Sequence, residues 1–234
     1  GLRFQPGVTW INTKQRRIAA NNDAPIFSLN HTAGLYNFGR ADYAYNFTEA
    51  GIYKRLWLAS WGKMDIYVKG GVQWNKVPFP LLIMPAANLS YIMEDYTFNL
   101  IDNMELLNDR YASLMYSWDL NGKILNRIPL IRKLKWREYI GCNVLWGTLT
   151  SKNNPYLDKN AGDHRLLYFP GEMQADGSFE SLSHVMDKKR PYVELVAGIH
   201  NIFKIFHIEY VHRMNYHYPG TQKWGIRGMF RLTF

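Results

Sequence analysis

Residues 206–216 read F-H-I-E-Y-V-H-R-M-N-Y. Phe206, Ile208, Tyr210, Met214 and Tyr216 fall on one parity, and His207, Glu209, Arg213 and Asn215 on the other. Successive side chains of an extended strand point to opposite faces, so this alternation predicts a strand with one apolar face and one charged face. The pattern recurs in both directions. Downstream, Trp224, Ile226, Phe230, Leu232 and Phe234 oppose Lys223, Arg227, Arg231 and Thr233. Upstream, Trp136, Ile140, Cys142, Val144 and Trp146 oppose Arg137, Gly141, Asn143 and Gly147. Ala112, Leu114, Tyr116 and Trp118 oppose Ser113, Ser117 and Asp119, and Ile66, Val68, Val72 and Trp74 oppose Asp65, Lys69 and Gln73. Residues 2–11, 26–36 and 43–58 are less regular strand candidates, the last long enough to bend or protrude.

These strands of about 9 to 13 residues exceed the usual 5 or 6 of globular sheets and suffice to cross a bilayer at a tilt. Alternation alone also describes a soluble barrel or sandwich. Strand length, and the rings near strand ends at Trp74, Trp118, Trp136, Trp224 and Phe234, favour a membrane. The expected fold is therefore all-β: an antiparallel transmembrane outer-membrane β-barrel, of which about nine strands are visible. Residues 1–234 form one domain, the C-terminal portion of a larger barrel.

Composition agrees with this class. Mean hydropathy is −0.30 and no run of 18 apolar residues occurs, which excludes a transmembrane helix but not a barrel, whose alternating strands average to a polar-looking profile. Aromatic residues at 15% suit strands and membrane-interface belts. A net charge of +9 permits nucleic-acid binding, but the basic residues are scattered along the chain, so nucleic acid is not an expected partner. The single Cys142 leaves no internal disulfide and no Cys-based zinc site. The opening residues, G-L-R-F-Q-P-G, show neither an initiator Met nor a leader, which suggests a mature or incomplete chain.

In bacterial barrels the C-terminus is periplasmic. Walking back from it places residues 217–222, 151–189 and 75–103 on the outer side, and 200–203, 121–135 and 60–63 on the inner side. The two longest connections both fall outside, the asymmetry expected of an outer-membrane barrel, although 121–135 is long for a periplasmic turn.

Three ordered stretches, G-G-V-Q-W-N-K-V-P-F-P-L-L-I-M-P-A-A-N-L-S-Y (residues 70–91), N-R-I-P-L-I-R-K-L-K-W-R-E (126–138) and G-I-H-N-I-F-K-I-F-H-I-E-Y-V-H-R-M-N-Y (198–216), resemble a family of Bacteroidota outer-membrane proteins of unassigned function. The resemblance covers about residues 21–234. Members of that family carry an N-terminal carboxypeptidase-regulatory-like β-sandwich and end in a barrel related to those of TonB-dependent receptors. The resemblance implies an outer-membrane location and brings no catalytic residues; the family's sandwich domain and first strands are not in this sequence.

With the apolar parity facing lipid, Lys69, Gln73, Arg137, Asn143, Glu194, His207, Glu209, Arg213, Arg227 and Arg231 point into the lumen. Both signs occur, so an internal network holding a plugged or narrow barrel is preferred to an ion-selective lining. The segment V-P-F-P-L-L-I-M-P (residues 77–85) cannot be an interior strand, because Pro78, Pro80 and Pro85 remove ladder donors. With Phe79 and the apolar run 81–84 it either packs into the barrel mouth as a plug or docks a partner on the surface; exposed apolar residues need cover, which favours the mouth. Arg127, Arg132, Lys133 and Lys135 form a candidate periplasmic contact to lipid phosphates or to an acidic partner, against the plainer reading of a solvated basic turn.

His164, His184, His212, His217 and Asp163 lie near the outer rim, but no H-E-x-x-H or G-x-S-x-G occurs and no ligand spacing is diagnostic. No catalytic residue, cofactor or metal is assigned. Phe230, Leu232 and Phe234, spaced two apart, read as a lipid-facing closing strand at the barrel seam and resemble the C-terminal signal recognised by barrel-assembly machinery. The expected role is a non-enzymatic structural or accessory subunit of a cell-envelope complex, in contact with outer-membrane lipid and lipopolysaccharide and with a further protein partner. The alternative is a pore or receptor-like transporter for small solutes.

Overall fold

A computed structural model describes residues 1–21 and 23–231. Its strands are β1 (Leu2–Phe4), β2 (Trp10–Asn12), β3 (Arg17–Ala19), β4 (Ile26–Gly34), β5 (Tyr45–Trp57), β6 (Lys63–Gln73), β7 (Arg110–Asp119), β8 (Arg137–Thr148), β9 (Gly171–Met173), β10 (Phe179–Ser181), β11 (Tyr192–Ile202), β12 (Phe206–Arg213) and β13 (Trp224–Phe230). Nine of them make one sheet in the order β1-β4-β5-β6-β7-β8-β11-β12-β13, with every neighbouring pair antiparallel. The chain is thus an all-β protein built on a single large meander, as the alternation predicts. β2 with β3 and β9 with β10 form two small separate hairpins.

The expectation of one strand over residues 2–11 is corrected. β1 stops at Phe4, because Pro6 has no N–H to give to a ladder and Gly7 turns at φ 74°, a left-handed value open to glycine. The chain then leaves the sheet for the β2–β3 hairpin, where Trp10 pairs with Ala19 and Asn12 with Arg17.

Antiparallel order fixes which connections share a rim. Residues 35–44, 74–109, 149–191 and 214–223 meet at one end, and 5–25, 58–62, 120–136 and 203–205 at the other. The connection 120–136 is long because it is folded: Pro129 presets the first turn of α1 (Pro129–Leu134), and Lys135 ends it in the left-handed region at φ 57°.

The sheet curls around the segment 77–109. Tyr96 packs edge-on against Tyr67 of β6, with ring centroids 4.9 Å apart. Three residues earlier, the Met93 N–H donates to the Gly228 carbonyl of β13 at 3.0 Å. β6 and β13 are five strands apart in the sheet order, yet Asp65 of β6 and Met229 of β13 line the same cavity; curvature brings them together. Among the described residues β1 and β13 do not pair with each other, so these strands do not close a barrel. Instead Ile92 forms a parallel bridge to Gly228, covering part of the β13 edge.

The apolar core lies between the inward face of the sheet and this segment. Val77, Leu82 and Leu107 pack with Leu149 and Phe169. Phe98, Ile101 and Leu106 pack with Leu145, Tyr192 and Tyr216, and Leu100 meets Val196 and Val211.

The turn between β5 and β6 depends on Gly62, which sits at φ 81°; a Cβ there would lie 1.9 Å from the Asp119 carbonyl oxygen. Gly62→Ala is expected to destabilise the fold by about 2 kcal/mol or more through backbone strain and displacement of β7. Denaturant unfolding in detergent micelles checks it; a change within about 0.5 kcal/mol would contradict this role for the turn.

Candidate functional site

Period two places Glu194 on β11, Arg213 on β12 and Arg227 on β13 on the inward face, and register puts Glu194 opposite Arg213 and Glu209 opposite Arg227. Cross-strand charge pairing would satisfy them. The side chains instead reach inward to the segment 97–105. Glu194 is fully buried and accepts the backbone N–H groups of Asn99 at 3.0 Å and Leu100 at 2.8 Å. The Tyr192 hydroxyl donates to it at 2.7 Å, and the Asn143 amide at 3.4 Å.

Arg213, equally buried, grips Glu105 with Nη1 and Nη2, the first at 3.2 Å from Oε2. It also donates to the carbonyls of Leu100 at 2.9 Å and Asn215 at 3.1 Å, and to that of Tyr216. Its guanidinium lies 4.9 Å from the Tyr192 ring centroid. Arg227 donates to the Asn99 carbonyl and stands 5.8 Å from the Tyr91 ring centroid. One loop thus has N–H groups bound by a carboxylate and carbonyls bound by two guanidinium groups, a charge-assisted arrangement that fixes it from both sides. Glu105 closes its own turn by accepting the Asp102 N–H at 2.9 Å. Burial, with Glu105 nearby, pushes the Asp102 carboxyl above its ordinary pKa.

Three further inward clusters surround this centre. Lys69 pairs with Glu49 at 2.9 Å, and the Tyr111 hydroxyl donates to the same carboxylate at 2.6 Å. Arg55 holds Asp65 through two contacts of 2.6 and 3.0 Å, with the Tyr53 hydroxyl at 2.7 Å. Glu209 meets His200 at 3.0 Å; Tyr139 stacks on His200 at 4.4 Å, and His207 lies 4.5 Å from it. Among the described residues, cavities remain between sheet and segment. One of about 740 Å³ is lined by Phe47, Tyr53, Tyr67, Tyr96 and the Glu49–Lys69 pair. Another, of about 210 Å³, is polar and holds His200, His207 and Glu209.

Residues 1–162 match the C-terminal domain of a family of unknown function (DUF5686). The chain belongs to that family. No curated protein and no solved structure matches it. The matched span covers β1 to β8 and the whole 77–109 segment, including Glu105 and Asn99; β11 to β13, with Glu194, Arg213 and Arg227, lie beyond it.

The other residues singled out in the sequence are placed as follows. Gln73 is fully buried. Arg137 stands opposite His200 at the start of β8 and is half-buried, while Arg231, beyond β13, makes an exposed 3.5 Å pair with Asp95. Pro78, Phe79, Pro80 and Pro85 belong to the packed segment: Phe79 contacts the Val77–Leu107 cluster, and Pro85 lines the larger cavity. Arg127, Arg132, Lys133 and Lys135 are exposed on the rim that carries α1. Phe230 is exposed at the end of β13; Leu232 and Phe234 lie outside the described residues. His184 stacks on Tyr218 at 3.5 Å, and Asp163 is held well below the usual carboxylate pKa range by hydrogen bonds from Arg165 and Lys76. Among the described residues no three His, Cys, Asp or Glu side chains are grouped to hold a metal ion.

Glu105, Asn99 and Glu49 are missing from the sequence reading. Glu49 was accessible, since it shares the inward parity of β5 with Tyr45 and Tyr53. Glu105 and Asn99 were not, because they sit in a loop without periodicity.

Removing Arg213 leaves Glu105 buried and unpaired. Arg213→Met is expected to cost about 3–5 kcal/mol, and Arg213→Met combined with Glu105→Leu markedly less. Unfolding titrations of both variants check it; equal losses in the two would contradict the pairing.

Proposed function

We propose that the chain forms part of a plugged outer-membrane β-barrel and serves as a non-enzymatic structural or accessory subunit of a cell-envelope complex. The observation that carries this reading is the inverted distribution of polarity across the sheet. The inward face buries Glu194, Arg213, Arg227, Glu209 and Gln73. The outward face leaves Ile52 47%, Leu195 43% and Ile226 54% exposed, together with Phe27, Leu29, Val68, Ile140, Trp146, Ile208, Tyr210, Trp224 and Phe230. Twelve such side chains, at ~180 Å² each and about half exposed, present roughly 1,000 Å², about twice the largest apolar patch of a typical water-soluble monomer. Hydrocarbon removes that liability.

Strand length agrees: β4 to β8 and β11 have 9 to 13 residues, as a tilted bilayer crossing needs. No helix among the described residues is long and apolar enough to cross a membrane, so strands are the route across. The rim bearing α1 faces the periplasm, where β13 ends, and the rim of long loops faces outward toward lipopolysaccharide. Phe230, with Leu232 and Phe234, is the segment read by the barrel-assembly machinery. Segment 77–109 acts as the plug, tied down by Arg213, Glu194 and Arg227 rather than free to swing. The alternative, a receptor-like transporter for small solutes, is favoured by one feature, the aromatic cavity of about 740 Å³.

Two measurements test the proposal. The protein should sediment with outer membranes and resist alkaline carbonate extraction; release into the supernatant would overturn the membrane reading. In planar bilayers it should give no stable open channels, and sustained conductance by the intact protein would replace the plugged reading with the pore. As a further check on orientation, Leu195→Arg should impair insertion by about 2–4 kcal/mol, since it sets a charge in hydrocarbon. Unchanged membrane yield of that variant would count against an outward-facing Leu195.

A further inference from the structure

The two rims differ in charge. Connections 35–44, 74–109, 149–191 and 214–223 hold nine Lys and Arg against twelve Asp and Glu. Connections 5–25, 58–62, 120–136 and 203–205 hold nine Lys and Arg against the single Asp23. The excess is on one side only. It comes mainly from two elements at different places along the sheet: the β2–β3 hairpin, with Lys14, Arg16 and Arg17, and the folded connection 120–136, with Arg132, Lys133 and Lys135. Among the described residues, none of these six pairs with a carboxylate.

Apolar side chains are interleaved with the cations. Leu130 is 78% and Phe203 79% exposed, and Trp57, Trp61, Ile124 and Ile128 are also open. Arg17 lies 4.8 Å over the Trp10 ring and Lys123 5.0 Å over the Trp61 ring. An aromatic body with a cation beside it suits the headgroup layer of a bilayer, where rings sit at the boundary and long basic side chains reach phosphate.

We propose that this rim is a docking surface for the anionic headgroups of a glycerophospholipid leaflet. The proposal rests on the membrane reading given above. A lipid partner fits better than an acidic protein because the cations are interleaved with exposed aromatic and aliphatic side chains, and the basic connections are spread along the rim from the β1–β4 gap to the β11–β12 gap. That is the pattern of a headgroup boundary, with rings at the apolar edge and cations toward phosphate. The apolar side chains of the rim also continue the outward apolar face through Leu56 near the end of β5, so the lipid boundary runs up to the cations. Each basic side chain near the surface of an anionic leaflet adds to the attraction, and salt screens it.

The test is lipid retention. The purified protein in neutral detergent is given equal amounts of phosphatidylglycerol and phosphatidylcholine, and bound lipids are counted by native mass spectrometry. Wild type should retain phosphatidylglycerol preferentially. Lys14→Gln with Arg16→Gln and Arg17→Gln, and separately Arg127→Gln with Arg132→Gln, Lys133→Gln and Lys135→Gln, should each lower that preference about threefold or more. Lys188→Gln with Lys189→Gln and Arg190→Gln, on the opposite rim, should leave it unchanged. Equal retention of the two lipids by wild type would overturn the proposal, as would a preference that both rim variants keep. Indifference to phosphatidylglycerol combined with capture of an acidic envelope protein through the same residues would replace the leaflet with a protein partner. Insertion into phosphatidylcholine vesicles separates the two levels: a protein that inserts but shows no lipid preference fails only here, and one that does not insert fails the membrane reading itself.

Discussion

The structure depends on a guanidinium that has nowhere to go but inward. Arg213 sits midway between the β12 backbone and the segment that fills the sheet, with Glu105 and three backbone carbonyls around it. A buried cation with any donor unmet is costly, so the segment must present the Glu105 carboxylate and the Leu100 carbonyl in one arrangement with the Asn215 and Tyr216 carbonyls that follow β12. Glu194 imposes the complementary demand on the N–H groups of Asn99 and Leu100. Between them the two side chains determine where residues 97–105 run, and the apolar clusters around Phe98, Leu106 and Leu107 pack in consequence.

Once the segment is fixed, curvature and edge protection follow. Tyr96 is held against β5 and β6 while Tyr91 and Met93 hydrogen-bond to Gly228 of β13, which draws distant parts of the meander together. The same contacts occupy part of the β13 edge, an otherwise open row of N–H and C=O groups of the kind that invites unwanted pairing. The inward side chains Glu194, Arg213 and Arg227 are bound by the chain's own inserted segment, and the outward face is left apolar. That division is the physical basis of the membrane proposal.

Much of this was legible in the sequence because a strand's side-chain period is two. The alternation in 206–216 and its repeats gives β6, β7, β8, β12 and β13 with their faces, and the positions of Lys69, Glu194, Glu209, Arg213 and Arg227 on one of them. The prolines at 78, 80 and 85 exclude a strand for a reason that holds at any register. What periodicity cannot give is the partner of each inward charge. Register alone suggests Glu194 with Arg213, yet each reaches instead for the inserted segment, whose residues follow no repeat and whose path is set by long-range packing. The early end of β1 at Phe4 was available from Pro6 and Gly7.

The central claim, an apolar face toward hydrocarbon and a polar face sealed by the inserted segment, is tested most directly by spin labels on β11 and β12. The protein is placed in phosphatidylcholine vesicles and probed with oxygen and with a water-soluble nickel relaxant. Labels at Leu195, Ala197, Ile208 and Tyr210 should be reached by oxygen and not by nickel, and labels at Val196 and Val211 by neither. Nickel access at Leu195 and Ile208, or at Val196 and Val211, would contradict the account.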